Sequence, residues 1–184
     1  MVAFACYGCA VPSPRVQFIH GLEGSPQGTK ARLLAQHFPT CTPAMDTRNF
    51  EASLEVQADA LNAFRPDVLV GSSFGAALAV ELLARDLWRG PTLLLAQAAV
   101  RMLKNPRLPK GIAVWLVHGT RDELIDVEES RALARSGTPD LVRLFEVDDD
   151  HPLRACVADG RLIDWVRDLA AAEISRRLAD AKKT

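Results

Sequence analysis

Val68-Leu69-Val70-Gly71-Ser72-Ser73-Phe74-Gly75-Ala76-Ala77-Leu78-Ala79-Val80 is the stretch whose reading decides the fold. Its apolar, β-branched start predicts a buried strand, and the alanine- and leucine-rich run over 76–84 predicts a helix. Between them stands Gly-x-Ser-x-Gly, a strand-to-helix turn that holds its central residue in a strained conformation and pushes the hydroxyl out at the sheet edge. Gly71 and Gly75 lack Cβ atoms, so neighbouring backbone can close in on the turn. The helix N-terminus behind Ser73 offers free N–H groups and a positive dipole end, which favour an oxyanion. A Gly/Ser turn can also merely join strand to helix, or bind an anion. An acid and a histidine at suitable later positions separate these readings.

Outward from this turn, strand and helix alternate. Residues 16–19 predict a first short strand closed by His20-Gly21. Ser25-Pro26 then predicts an N-cap and first helical position for a helix reaching about Phe38. Residues 40–43 suit a short edge strand, because prolines flank them. Asn49 predicts the cap of a second helix, with Phe50, Leu54, Ala58 and Leu61 as its apolar stripe. The helix after the turn is expected to end near Trp88, before Gly90-Pro91. Strands are expected at 92–96, 112–117 and 141–147, and helices at 127–135 and 162–178. Strands apolar throughout rather than alternating imply burial on both faces, as in a parallel sheet between helices.

The 184 residues, 48% hydrophobic and 24% charged, suit one domain spanning 1–184. A net charge of −1 gives no reason to expect nucleic acid or an acidic membrane surface as partner, and no apolar run is long enough to span a bilayer. Residues 1–14 lack the basic start and long apolar region of a secretory signal and read as a loosely ordered leader. Lys182-Lys183-Thr184 reads as a frayed end. Cys6-Tyr7-Gly8-Cys9 has redox-motif spacing, but no βαβ unit surrounds it. With Cys41 and Cys156 isolated, reduced thiols in a cytoplasmic protein are expected, with no metal and no cofactor.

A serine hydroxyl is a poor nucleophile at neutral pH and needs a base, for which histidine is suited. His37 falls inside a helix, and His20 and His118 each end a strand before glycine, where histidine often bonds backbone. His151 follows the last strand in Asp148-Asp149-Asp150-His151-Pro152, at the sheet edge where the turn emerges, and is the expected base. Asp122, just beyond the preceding strand, is the expected acid. Glu123 and Asp126 stand next in line, although Asp126 is better placed to cap the following helix. Two backbone N–H groups usually hold an oxyanion. Phe74 should supply one, and Leu22, in the glycine-rich loop His20-Gly21-Leu22-Glu23-Gly24, the other.

Three segments together resemble the YqiA-type small bacterial esterases, a compact branch of the α/β-hydrolases that cleaves short acyl esters. They are His20-Gly21-Leu22-Glu23-Gly24-Ser25-Pro26 with Lys30-Ala31, then Val70-Gly71-Ser72-Ser73-Phe74-Gly75, then Ala98-Ala99-Val100. The resemblance implies a nucleophile at Ser73, an oxyanion loop after His20-Gly21, an acid at Asp122 and a base at His151. It implies a minimal α/β-hydrolase domain, with a mostly parallel six-stranded sheet between helices. Little or no lid is expected, because the segment 97–111 is short. The first two strands of larger members are expected to be missing, with few residues before Val16. The chain departs from the family at Ala76, where a second glycine is usual, and in the three aspartates before His151.

The expected activity is serine hydrolysis of carboxylic esters with small or medium acyl groups, lined by Leu22, Phe74, Met102, Leu124 and Leu153. A thioesterase with the same triad, or a non-catalytic small-molecule-binding protein on this fold, are the alternatives. Nucleotide binding at the glycine loop lacks the required glycine spacing.

Overall fold

The computed structural model describes residues 13–182. The expected leader therefore lies outside the described residues apart from Ser13 and Pro14, as do Cys6, Cys9 and the last two residues. Six strands form one sheet: β1 Val16–Ile19, β2 Thr40–Cys41, β3 Val68–Ser72, β4 Thr92–Leu95, β5 Val114–Gly119 and β6 Val142–Val147. Their order is β2-β1-β3-β4-β5-β6, and every neighbouring pair is parallel. The helices are α1 Thr29–His37, α2 Phe50–Phe64, α3 Phe74–Ala84, α4 Ala99–Met102, α5 Val127–Arg135, α6 Arg154–Ala158 and α7 Arg161–Ala181.

The two-residue period of a strand sends alternate side chains to opposite faces. Val16, Phe18, Val70, Leu93, Trp115 and Val117 pack against α1 and α7 through Leu34, Val166 and Leu169. Ile19, Leu69, Leu94 and Leu116 pack on the other face against α2, α3 and α5 through Leu54, Leu78, Leu82 and Leu133. Both faces are dry, which is why the central strands read as unbroken apolar runs. In α3 only Glu81 and Ala84 escape burial, so this helix is apolar all round.

Three local expectations are corrected. α1 begins at Thr29, not at Ser25-Pro26. Ser25 closes a turn instead, its carbonyl accepting from the Gly28 N–H at 2.9 Å. α3 stops at Ala84, short of Trp88. Asp86 turns left-handed (φ 59°), and the Leu87 and Trp88 N–H groups fold back onto the Leu82 carbonyl. The short helices α4 and α6 stand where only loops were expected. Asn49 caps α2 as read, its side chain accepting from the Ala52 N–H at 3.1 Å.

The strand order reverses at β1. α1 leaves β1 onto one face and α3 leaves β3 onto the other, so a crevice opens between the carboxyl ends of these two strands. Among the described residues no helix is long and apolar enough to cross a membrane.

Candidate active site

Ser73 sits in the crevice, between β3 and α3, with φ 54° and ψ −114°, a conformation that L-residues rarely adopt. What holds it there is close backbone packing. A Cβ on Gly75 would lie 2.1 Å from the Ile19 carbonyl oxygen of β1, and one on Gly71 would lie 2.6 Å from the Gly75 carbonyl. The Ser73 N–H donates to Leu95 of β4 at 2.8 Å, and its carbonyl accepts from Ala76 at 3.0 Å and Ala98 at 3.3 Å. The serine is thereby locked between two strands and two helix starts.

His151 and Asp122 arrive from the loops after β6 and β5. The Ser73 hydroxyl lies 3.0 Å from His151 Nε2, and His151 Nδ1 lies 2.7 Å from Asp122 Oδ2. An ionised carboxylate only accepts, so the Nδ1 proton points to Asp122 and Nε2 is free to accept from the serine. The Asp122 side chain is fully buried. Its Oδ1 accepts from the Leu124 and Ile125 N–H groups, both at 2.9 Å. Glu123 is exposed, and Asp126 caps α5 by accepting from the Glu128 N–H at 2.9 Å.

Sequence reasoning missed a second imidazole behind the acid. His118, at the end of β5, is wholly buried, and its Nε2 lies 3.3 Å from Asp122 Oδ2 and 2.9 Å from the Ile125 carbonyl. That nitrogen must carry a proton to satisfy the carbonyl, so Nδ1 accepts from the Ser130 hydroxyl at 2.7 Å. Ser130 in turn accepts from Gln97 Nε2 at 3.2 Å, and Gln97 Oε1 accepts from the Ala99 N–H at 2.7 Å. A buried polar chain thus runs from the acid to the segment that bonds the Ser73 carbonyl. The four-residue spacing of His118 and Asp122 was the available signal.

The three aspartates before His151 each have their own partner. Asp148 is exposed and pairs with Arg121 at 2.6 Å, while Asp150 pairs with Arg154. Asp149 is buried and accepts from the N–H groups of Cys156 (2.9 Å), Asp150 (2.9 Å) and Ala155 (3.2 Å) at the start of α6. Burial opposes its ionisation, but the hydrogen bonds from Cys156 and its neighbours outweigh this and hold the carboxyl at about 2. The Cys156 thiol is pushed up to about 12, by burial first and by Asp149 next, so it stays protonated. The loop also needs Gly119, where a Cβ would lie 2.4 Å from the Asp149 carbonyl oxygen.

Of the expected oxyanion donors, Phe74 N–H stands at the first position of α3, where no intrahelical acceptor exists. Leu22 lies inside a tight turn closed by the Gly24 N–H donating to the Gly21 carbonyl at 3.0 Å. Neither amide is engaged in a hydrogen bond among the described residues. The expected lining is corrected at two places. The side chain of Phe74 turns into the core and meets Phe50 edge-on, and Leu153, left-handed at φ 56°, is buried among residues of α7. Leu22, Met102 and Leu124 remain exposed. Among the described residues no group of three or more His, Cys, Asp or Glu side chains is placed to hold a metal ion.

Solved structures share this architecture. Alpha/beta hydrolase domain-containing protein 10 from mouse superposes with a TM-score of 0.71 at 16% identity, covering 88% of this chain and 92% of its own. An alpha/beta-superfamily protein from Xanthomonas campestris gives 0.67 at 24% identity, covering 88% and 98%. Est1E from Butyrivibrio proteoclasticus gives 0.67 at 15%, covering 89% of each chain. No family model and no curated protein sequence matches the chain. These likenesses, with the all-parallel sheet, give the chain the α/β-hydrolase fold.

Proposed function

We propose that this α/β-hydrolase-fold protein is a serine hydrolase that cleaves carboxylic esters through an acyl-enzyme. The observation that supports the reading most is the unbroken path of hydrogen bonds from Ser73 to His151 to Asp122, built from the loops after β3, β6 and β5 at the carboxyl ends of the strands. The Ser73 oxygen attacks the ester carbonyl while His151 Nε2 takes its proton. Asp122 keeps the second imidazole proton on Nδ1 and stabilises the cation that forms. The amides of Leu22 and Phe74 receive the negative charge developing on the carbonyl oxygen. The tetrahedral intermediate collapses as His151 returns the proton to the departing alkoxide. Water, deprotonated by the same nitrogen, then attacks the acyl-Ser73 ester, and the acid leaves as Ser73 regains its proton.

Two further observations point the same way. The motifs at His20–Pro26 and Val70–Gly75 resemble those of YqiA-type esterases. The solved structures of like fold include one described as the esterase domain of a Rhodothermus marinus protein, at 16% identity and a TM-score of 0.62. The segment between β4 and β5 forms only α4 and a loop, which suits small or medium acyl groups reaching an open crevice.

A fluorophosphonate probe tests this directly. The folded protein should be labelled on Ser73, and Ser73→Ala should lose both the label and ester turnover while melting at nearly the same temperature. Absence of labelling in folded wild-type protein overturns the reading.

A further inference from the structure

A cavity of about 650 Å³ opens beside Ser73, between the loop after β1, the first turn of α1 and the loop leading into α6. It comes up to the neighbours of the reacting atoms. Gly21 lines it, and a Cβ there would come within 4.0 Å of Ser73 Oγ. Ser72 and Pro152, the chain neighbours of Ser73 and His151, line it as well.

The polar groups of this cavity are not balanced from within the protein. Lys30, in the first turn of α1, is half-buried, yet its ammonium makes no hydrogen bond or ion pair with a described residue. Burial lowers its pKa, and the more distant Asp150 and Asp149 offset this only in part. Those carboxylates are committed elsewhere, Asp150 to Arg154 and Asp149 to the N–H groups of α6. Glu23, also on the lining, is exposed and forms no ion pair among the described residues. His20 is 4% exposed; its Nδ1 donates to the Gly21 carbonyl at 2.9 Å, so Nε2 is a buried acceptor without a donor among the described residues and calls for no anion. Gly28 caps α1 with no side chain, and no side chain accepts from the first turn. An uncompensated ammonium and an open helix N-terminus on one hollow both lack the same thing, an anionic acceptor.

Resting on the hydrolase reading, we infer that this cavity is a subsite for a carboxylate carried by the substrate, with Lys30 as its counter-charge. The ester hydrolysed at Ser73 is then a short one bearing a free carboxylate a few bonds from the scissile carbonyl. Such a group would pair with the Lys30 ammonium and face the N-terminus of α1. A charge-assisted pair in a half-buried site is expected to favour the charged ester by about tenfold in kcat/KM over a neutral ester of equal length.

Matched pairs of esters test this: a hemiglutarate against a pentanoate, both of one chromogenic alcohol, places the carboxylate on the acyl side. A glycolate ester against its amide places it on the alcohol side. One charged ester should exceed its neutral partner by about tenfold, and Lys30→Met should reduce that ratio to near one, with Lys30→Arg keeping part of it. A wild-type ratio of one or below for both pairs overturns the inference, as does a Lys30→Met variant that slows both members of a pair in proportion. If no ester is turned over and Ser73 is not labelled, the hydrolase reading has failed, and the subsite is judged by binding alone. Free glutarate should raise the melting temperature of wild-type protein and not that of Lys30→Met. Equal stabilisation of the two, or none of either, rejects it.

Discussion

At the carboxyl ends of the strands the chain places a strained serine, a buried and a half-buried imidazole and a buried carboxylate in one continuous set of hydrogen bonds. At the amino ends of the same strands lies a larger hollow of about 800 Å³, bordered by Pro14, Pro66, Pro91, Trp88, Ile174 and Arg177. The larger hollow has no strained residue of its own, and its buried acid, Glu173, is already paired with Arg176 and Arg177. Volume alone points to the amino end, away from the candidate site. What marks the other end is polar groups held at cost, because strain and buried charge persist only where the surroundings enforce them.

Three measurements break or sharpen this contrast. The largest effect is expected at the buried acid. Asp122→Asn keeps the shape but favours the wrong His151 tautomer, so kcat on a simple ester should fall by about 10⁴-fold. Unchanged kcat would transfer the role to Glu123 or Asp126.

A smaller effect, on stability, is expected at Asp149, which ties the His151 loop to α6. The folded-state value of about 2 lies below the ordinary 3.8, so this carboxylate stabilises the fold above about pH 4. That contribution is lost as pH falls from there towards 2. Allowing for solvent screening it amounts to roughly 1–2 kcal/mol. Asp149→Ala should therefore unfold at lower urea at pH 7 and show a flatter pH dependence between 4 and 2 than wild type. Parallel profiles would show that the N–H groups of α6 do not hold the carboxylate.

The smallest effect belongs to the amino end. Ile174→Ala, at a side chain 44% exposed, should change stability by no more than about 0.5 kcal/mol and leave kcat/KM unaltered. A clear loss of activity there would mean that the two ends are coupled.

Much of the site was legible because its signals are local. The glycines flanking Ser73 report close backbone approach, and Asp122 and His151 each follow a strand whose apolar run is plain to read. The capping residues Asn49 and Asp126 act within three residues of themselves and were read correctly in place. Ser25-Pro26 misled, because its local preference for a helix start yields to the turn that carries the chain from Gly21 beneath Ser73. Phe74 and Leu153 misled for a related reason. Adjacency to the site in sequence says nothing about which way a side chain turns, and both face the core.

The amino-acid order by itself determined the alternation of strands and helices and the double burial of the sheet, and it singled out three candidate side chains for its rim. Periodicity and turn chemistry act between near neighbours, and those are printed in the sequence. Only the tertiary structure decided that Ser73 stands 3.0 Å from His151 and that His118 lies behind Asp122. It also decided that Lys30, on a cavity lined by Gly21 and Ser72, has no hydrogen-bond or ion-pair partner among the described residues. Those facts depend on where packed strands carry loops far apart along the chain, and no local preference encodes such a distance.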